Sequence, residues 1–391
     1  MIPLMKKAFL NEYETKKALC DFIMQAERLS MDEKCFEFER KFSNKQCRTD
    51  SILFNSGGSA NLAVLQALKN LGRLKDGDKI GFSALTWSTN TMPIIQMGFI
   101  PVAIDCEIVT MNISSEQLIL SLNNNNLKAL FLTNVLGFVS DIWKLKELCL
   151  ENNIILIEDN CESLGTETQY GKAGNFSLVS TFSFFVAHHM STIEGGMACT
   201  DDEDLAQMLR IVRANGWDRN LNSKQQMVLR KKFNINSEFQ AKYTFYDLGF
   251  NFRPTEITGF LGLYQLQFLD DNINKRQANY LLIEKQMQKN DDLLILKRDH
   301  ITKLSTFAIP VICKSNELRN KYLSQFSGAG IEIRPLIAGN MQLQPFYSKY
   351  VKQIESLPNV DFLHNCSFYC GNYPELTIGD LEIIKSALTQ F

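Results

Sequence analysis

The sequence has no apolar run that approaches the roughly 18 residues a helix needs to cross a membrane. Its first residues, MIPLMKKAFLNEYETKK, place charged side chains where a secretory signal peptide needs an apolar stretch. These two absences predict a soluble, cytoplasmic protein.

The chain also lacks an excess of charge of either sign. It has 41 Lys and Arg residues against 43 Asp and Glu residues. Such a balance provides no basic field to hold a nucleic acid backbone or an anionic membrane. We therefore expect neither a nucleic acid nor a membrane as a partner.

No cysteine pattern typical of a metal site is present. The ten cysteines are scattered singly from Cys20 to Cys370. The nearest pair, Cys366 and Cys370, lacks the second pair that would complete a zinc site. We expect free thiols and no bound metal.

Residues 50 to 200 alternate short β-rich apolar runs with helical patterns. The runs are SILF at 51, KIGFSAL at 79, PVAID at 101, ALFLTNVL at 129, IILIED at 154, STFSFF at 180 and GMACT at 196. This alternation predicts a mainly parallel, seven-stranded sheet covered by helices, an α/β fold. Ligands of such sheets bind at the carboxyl ends of the strands, so the residues after each run are the candidates for function.

The pattern changes beyond about residue 265. A long charged helical segment is followed by the strand-like TFAIPVIC, a helix around NELRNKYLSQF and the strand-like IEIRPL. The last helix is predicted to start at Thr377, with Asp380 in a capping-box arrangement. We predict a large α/β domain over residues 1–265, with a helical N-terminal segment, and a smaller α+β domain over residues 266–391.

The segment FNSGGSAN, residues 54 to 61, lies between a predicted strand and a helix predicted to start near Asn61. Small residues let the backbone approach a ligand closely, and a helix N-terminus attracts an anion such as phosphate. A tight turn with no ligand is an equally good interpretation, because glycine is favoured wherever φ is positive.

Asp159, in IILIEDNCESLG, stands at the end of an apolar strand. A carboxylate there costs free energy to desolvate unless a cation or a donor meets it, and a protonated ring nitrogen is one such partner. The alternative is that Asp159 caps the following turn.

The segment STFSFFVAHHMSTIEGGMACT, residues 180 to 200, contains two of the four histidines of the chain. Adjacent side chains point in different directions, so we expect only one of the pair to face a site. Structural histidines with satisfied hydrogen bonds are the competing interpretation. Trp87, after the second strand, could likewise lie on a planar cofactor or fill the core.

Together and in this order, these segments resemble the DegT/DnrJ/EryC1/StrS family, the pyridoxal-phosphate (PLP) aminotransferases that act on nucleotide-linked 4-keto sugars. The likeness covers almost the whole chain. It rests on SGGSAN at 56, WSTN at 87, EDNCESLG at 158, GKAGNFS at 171, SFFVAHHMSTIEGG at 183, RANGWDRN at 213 and GFNFRPTEITGFLGLYQLQ at 249. The resemblance implies the fold-type I PLP-dependent transferase fold and a homodimer with shared active sites.

The resemblance also implies a set of cofactor contacts. They are Gly58, Ser59 and Ser183 at the phosphate, Trp87 on the ring face, Asp159 at the pyridine nitrogen, Glu162 on the ring hydroxyl side, and Asn251, which would reach a phosphate in the neighbouring subunit's site.

The family's cofactor-binding lysine falls on His188, between Ser183 and the glycine pair at 195 and 196. This pattern resembles a 3-dehydratase branch of the family that acts on a GDP-linked 4-keto-6-deoxy sugar. Ala187 and Asn215 replace a serine and a histidine of that branch. A related group of CDP-sugar enzymes adds an iron–sulfur cluster, which the lack of cysteine between residues 199 and 313 argues against.

An imidazole cannot bind the cofactor covalently as a lysine amine does. It can take and return protons near neutral pH, because its reference pKa is about 6.5. We therefore expect non-covalent PLP, converted by L-glutamate to pyridoxamine phosphate, and dehydration of a nucleotide sugar with His188 as acid and base. Candidates for binding the sugar's diphosphate are Arg219, Arg253 and Arg334, unless they form surface ion pairs.

Two rival functions stay open at this point. The first is a nucleotide-sugar 4-aminotransferase that recruits another lysine, although Lys172 in the matching stretch occupies a structural position. The second is a non-catalytic sensor of a sugar nucleotide or of PLP. Retention of Asp159, Ser183 and Glu194 argues against a sensor, which has no need of proton-transfer groups.

Overall fold

In a computed structural model, which describes residues 1–390, the chain forms one large sheet, two smaller sheets and surrounding helices. The strands are β1 (Asp50–Phe54), β2 (Lys79–Ser83), β3 (Ile100–Ile104), β4 (Leu127–Thr133), β5 (Ile155–Asp159), β6 (Glu167–Thr168), β7 (Gly171–Lys172), β8 (Val179–Ser183), β9 (Gly196–Thr200), β10 (Leu293–Leu294), β11 (Ile301–Lys303), β12 (Ala308–Cys313), β13 (Ile333–Pro335) and β14 (Ser367–Gly371). The helices are α1 (Glu12–Gln25), α2 (Glu33–Gln46), α3 (Gly57–Asn70), α4 (Ser88–Gln96), α5 (Ser115–Leu122), α6 (Ile142–Glu151), α7 (Glu203–Arg213), α8 (Ser223–Lys232), α9 (Glu238–Ala241), α10 (Glu256–Leu266), α11 (Leu269–Met287), α12 (Asn316–Gly328), α13 (Tyr347–Tyr350), α14 (Pro358–Cys366) and α15 (Ile378–Ser386).

The large sheet has the strand order β1-β9-β8-β5-β4-β2-β3. Only β9 runs antiparallel to its neighbours, β1 and β8, and the other pairings are parallel. The predicted mainly parallel, seven-stranded sheet is therefore confirmed, and each predicted apolar run overlaps one of its strands. One boundary was wrong, because α3 begins at Gly57, a turn before the predicted start near Asn61.

Helices cover both faces of this sheet. In β4, Ala129 and Phe131 pack into one apolar cluster, whereas Leu130 and Leu132 pack into another on the opposite face. Alternate side chains of a strand point to opposite faces, so a strand buried on both sides must be apolar throughout. This explains why the strands are continuous apolar runs in the sequence.

The C-terminal part contains a four-stranded antiparallel sheet of order β10-β12-β14-β13. Its core includes Val311, Tyr322, Phe326 and Phe368, with helices α12 and α15 packed around it. Helix α15 has Thr377 as its N-cap in a capping box with Asp380, as predicted. The division into domains at residues 265 and 266 stays a prediction.

A third sheet, β11-β6-β7, joins the C-terminal part to the loop after β5. Close to it, Gly137 has a φ of 97°, and a Cβ there would lie 2.2 Å from the Ser305 carbonyl oxygen. The Phe307 N–H donates to the Leu136 carbonyl at 3.1 Å. A segment distant in sequence is thus held against the carboxyl end of the large sheet.

Among residues 1–390, no helix combines the length and the apolar character needed to span a membrane.

Glu158, the residue before Asp159 in β5, is fully buried and acts as an acceptor for the loop between β7 and β8. Its carboxylate accepts from the backbone N–H groups of Gly174 at 2.8 Å, and of Phe176 and Ser177 at 3.0 Å. The Asn134 side-chain amide donates to it as well, at 3.2 Å. One side chain therefore satisfies three backbone N–H groups of this loop and also accepts from the Asn134 amide.

We expect Glu158→Gln to lower the free energy of unfolding by about 2–3 kcal/mol, because an amide NH2 then replaces an acceptor of buried N–H groups. Chemical unfolding followed by circular dichroism measures the effect, with the exposed Glu147→Gln as the matched control. Equal stability of the two variants would contradict this role of Glu158.

Candidate active site

A cavity of about 480 Å³ lies at the carboxyl ends of β4, β5 and β8, beside the N-termini of α3 and α4. Strand-end residues line it on one side, and Phe307, Ile337 and Tyr369 close it from the C-terminal part. No lysine is among its lining residues in the described chain. A larger open hollow of about 650 Å³ between α2, α7 and α8 contains none of the predicted cofactor contacts, so the strand-end cavity is the candidate site.

Asp159 is 4% exposed and carries the most connected carboxylate of the cavity wall. Its Oδ2 accepts from the side-chain amides of Asn61 at 2.8 Å and Asn90 at 2.7 Å, and its Oδ1 accepts from the Cys161 N–H at 2.9 Å. Asn61 in turn accepts from the Thr181 hydroxyl at 2.6 Å. Three donors to one carboxylate fix its orientation.

The first turn of α3 opens on the cavity through Gly57 and Gly58. The Ser56 hydroxyl caps the helix by accepting from the Ser59 N–H at 3.0 Å, and it donates to the Ser59 hydroxyl at 2.9 Å. A Cβ on Gly57 would lie 2.8 Å from the Cβ of Ser183. The glycine therefore lets the helix end approach Ser183 closely, and the free N–H groups of a first turn suit a phosphate.

Trp87 precedes α4 and is 55% exposed at the cavity, so it does not fill the core. An aromatic side chain, a buried carboxylate and a helix N-terminus thus border the same cavity. These features fit PLP, which is a planar ring with a protonated nitrogen at one end and a phosphate at the other.

His188 lines the cavity between Phe185 and Phe307, with ring centroids 6.4 Å and 5.2 Å away. Burial lowers the pKa of His188 to about 4, although Asp159 and the Cys161 carbonyl favour its charged form. The Nδ1 atom is buried without a hydrogen-bond partner. At neutral pH the imidazole is therefore a free base.

Glu162 lines the cavity beside His188, and burial raises the pKa of its carboxyl group to about 8. The Leu136 N–H donates to it at 2.9 Å and favours the charged form, whereas the neighbouring Asp159 disfavours it. Glu162 is thus protonated at neutral pH and can donate a hydrogen bond into the cavity.

His189 lies on the other side of the chain from this cavity. Its side chain is buried, and its Nε2 lies 3.1 Å from the Ser305 carbonyl oxygen. The Asn272 side chain donates to the His189 carbonyl. Of the histidine pair, only His188 lines the cavity.

Several residues predicted to bind phosphate lie outside the cavity of their own chain. Arg219 is exposed and stacks on Trp217, with its guanidinium carbon 4.7 Å from the ring centroid. Arg253 donates from Nε to the exposed Asn251 at 3.0 Å. Arg334 is half exposed and forms a 2.6 Å ion pair with Glu332.

Two further predicted residues have local partners. Ser59 makes the capping contacts with Ser56 and is not part of the cavity lining. Lys172 donates to the Lys45 carbonyl at 2.8 Å, away from the cavity.

Sequence reasoning missed the C-terminal wall of the site. Phe307, Ile337 and Tyr369 belong to no motif, and only the folding of the C-terminal part over the strand ends brings them there. The partners of Asp159 could have been found, because Asn61 and Asn90 end the segments SGGSAN and WSTN.

Residues 1–390 contain no cluster of three or more His, Cys, Asp or Glu side chains that could hold a metal ion. All ten cysteines are free thiols.

Comparison with known proteins identifies the same family as the sequence motifs. Residues 11–389 match the profile of the DegT/DnrJ/EryC1/StrS aminotransferase family. The chain is 29% identical over 370 residues to GDP-4-keto-6-deoxy-D-mannose 3-dehydratase of Escherichia coli O55:H7, covering 94% of each chain. It is 30% identical over 320 residues to the enzyme of that name from Yersinia pseudotuberculosis, covering 81% of this chain and 80% of the relative.

A solved structure of the E. coli GDP-4-keto-6-deoxy-D-mannose-3-dehydratase with bound hydrated PLP superimposes with a TM-score of 0.89. It is 28% identical, and the match covers 100% of this chain and 99% of that one. The chain therefore belongs to the DegT/DnrJ/EryC1/StrS aminotransferase family.

Proposed function

We propose that the protein is a PLP-dependent 3-dehydratase of a nucleotide-linked 4-keto-6-deoxy sugar, GDP-4-keto-6-deoxy-D-mannose, with L-glutamate as the amino donor. The observation that carries this proposal is a cavity suited to PLP that His188 lines and no lysine lines. Without a lysine amine there is no covalent anchor for the cofactor and no lysine to release an amino product. The similarity to 3-dehydratases along almost the whole chain supports the same conclusion.

In this proposal the cofactor is held non-covalently. Asp159 keeps the ring nitrogen protonated, and Trp87 covers a ring face. Ser183 and the turn at Gly58 and Ser59 bind the phosphate. When bound and aminated by L-glutamate, the cofactor supplies an amine that condenses with the C4 ketone of the sugar and a ring that accepts electrons.

His188 carries the proton transfers. Its lowered pKa leaves the imidazole neutral at pH 7, so it can remove a proton from the cofactor carbon next to the ring. The resulting imidazolium is then the acid that protonates the C3 hydroxyl group as it leaves as water. One side chain serves both steps, because the proton that His188 removes from the cofactor carbon is the proton that it donates to the leaving hydroxyl group.

Glu162 has a different role, which depends on its raised pKa. A neutral carboxyl group can donate a hydrogen bond toward the ring hydroxyl side, whereas a carboxylate there would repel the neighbouring Asp159. Burial thus favours the neutral form of Glu162 beside Asp159.

The proposal includes a homodimer with shared active sites. Large apolar side chains are exposed between residues 227 and 248, among them Phe239 at 81%, Tyr243 at 75% and Leu248 at 70%. Such a concentration is typical of a surface that another protein covers. Asn251 and Arg253 follow this stretch, and in the proposed dimer they reach the cavity of the second copy, as the family resemblance implies, with Arg219 as a further diphosphate contact.

The reaction can be tested with PLP, L-glutamate and a panel of GDP-, dTDP-, UDP- and CDP-linked 4-keto-6-deoxyhexoses. We expect a product lighter by one oxygen atom than the substrate, with one ammonia and one 2-oxoglutarate released per turnover, and the highest rate with the GDP sugar. A 4-amino sugar without ammonia would indicate an aminotransferase, and no turnover of any sugar would indicate a sensor. Omission of L-glutamate is the control.

We expect His188→Lys to bind PLP covalently and to lose dehydration by about 10²-fold or more, because a general acid–base contributes 10²–10⁴-fold. Borohydride reduction followed by peptide mass spectrometry detects the attached cofactor. The unmodified chain, treated identically, should yield no pyridoxyl peptide. A pyridoxyl-lysine in the unmodified chain, or full dehydration by the variant, would refute the assigned role.

The raised pKa of Glu162 also affects stability. Between its ordinary pKa of 4.5 and about 8, the folded chain keeps this proton and the unfolded chain has lost it. The free energy of unfolding therefore falls as pH rises through this window, by up to about 1.4 kcal/mol per pH unit. In the cofactor-free protein, Glu162→Gln should flatten this decline, whereas the exposed control Glu147→Gln should keep it. Identical slopes for both variants would show that Glu162 titrates normally.

A further inference from the structure

A second, much smaller chamber lies behind His188, on the side away from the candidate active site. Its volume is about 20 Å³, and its walls are the loop from Val186 to Ser191, the N-terminal segment near Ala8, and Arg276 on α11. A space of about 10–15 Å³ is enough for one water molecule when polar groups face it. The chamber is therefore the size of a single water.

Two buried nitrogen atoms belong to residues that line this chamber. The Nδ1 atoms of His188 and His189 are both sealed from solvent, and neither has a hydrogen-bond partner within the protein. A buried polar atom without a partner is destabilising. A water between the two rings would satisfy both atoms at once.

The direction of each hydrogen bond follows from the Ser305 carbonyl, which lies beyond His189. The Ser305 carbonyl can only accept, so the His189 Nε2 that lies 3.1 Å from it carries a proton. Burial and the nearby Arg276 hold the pKa of His189 well below its ordinary value, so the ring is neutral. Its Nδ1 is then an acceptor, which a water must meet with an O–H.

We propose that the chamber binds one water that donates to Nδ1 of His189 and accepts from Nδ1–H of His188, so that His189 fixes the tautomer of His188. The resulting chain runs from His188 through the water and His189 to the Ser305 carbonyl. It keeps the proton of the neutral His188 on Nδ1 and leaves the lone pair on Nε2. His189 acts here as a positioning residue and touches neither cofactor nor sugar.

This proposal deepens the proposed dehydratase function, on which its catalytic meaning rests. A general base needs its lone pair on the atom that faces the reacting carbon. The opposite tautomer, which the Cys161 carbonyl favours and the water must outweigh, would place a proton on Nε2 and block the first step. Charged and titratable groups surround the pair on both sides. On the cavity side they are Asp159, Cys161, Glu162, Glu194 and Tyr369, and on the chamber side they are Lys7, Arg276, Tyr373 and Glu375.

The tautomers can be read directly, because the chain contains only four histidines. In full-length, ¹⁵N-histidine-labelled protein, long-range ¹H–¹⁵N correlation spectra distinguish a protonated Nδ1 from a protonated Nε2. We expect His188 protonated on Nδ1 and His189 protonated on Nε2, with PLP bound and without it. A proton on Nε2 of His188 would overturn the proposal even if the enzyme is an active dehydratase, so this failure is separate from failure of the proposed function.

Variants test the link between the rings. His189→Phe keeps a ring of similar size but removes the acceptor. We expect it to give His188 a mixture of tautomers and to lower kcat by about tenfold or more, with KM unchanged. The matched control is His300→Phe, since His300 Nε2 also lies close to a backbone carbonyl, that of Val139 at 2.8 Å, but away from the chamber. An unchanged His188 spectrum in His189→Phe would refute the link, and the spectrum of the unmodified protein decides the question if that variant does not fold.

Discussion

The candidate site depends on the Asp159 carboxylate at the end of β5. Asn61 from α3, Asn90 from α4 and the Cys161 N–H all donate to it, so one side chain ties two helix N-termini to the central strand. Those helices begin at Gly57 and directly after Trp87, the residues proposed to border the phosphate and the ring face of the cofactor. The negative charge is compensated by fixed dipoles before any ligand binds, which is the arrangement that a cationic ring requires.

The sequence predicted the parts of the molecule that depend on local pattern. The strands of the large sheet are continuous apolar runs because both faces are buried, and Asp159 and Ser183 end two of them. Carboxyl ends of parallel strands share one edge, so these two residues and the α3 turn could be expected to meet. The roles given to them by family resemblance remain predictions, as does the division into domains.

The features that the sequence did not predict depend on contacts between residues far apart in the chain. Phe307, Ile337 and Tyr369 reach the cavity only because β11 pairs with β6 and the C-terminal sheet packs over the strand ends. The start of α3 was placed late because the small residues before Asn61 were interpreted as a turn. The predicted diphosphate arginines lie outside the cavity of their own chain. A motif gives the position of a residue in the sequence but not its position relative to a cavity.

Gly137 lies where the C-terminal part contacts the strand ends of the large sheet. Its missing side chain lets the backbone at Ser305 come close, and the same short segment supplies the acceptor for His189 and the aromatic wall at Phe307. The close contact between Gly137 and Ser305 thus supports both the acceptor for His189 and one wall of the cavity. A glycine distant in sequence from His188 thus permits the backbone contact that brings Phe307 to the cavity.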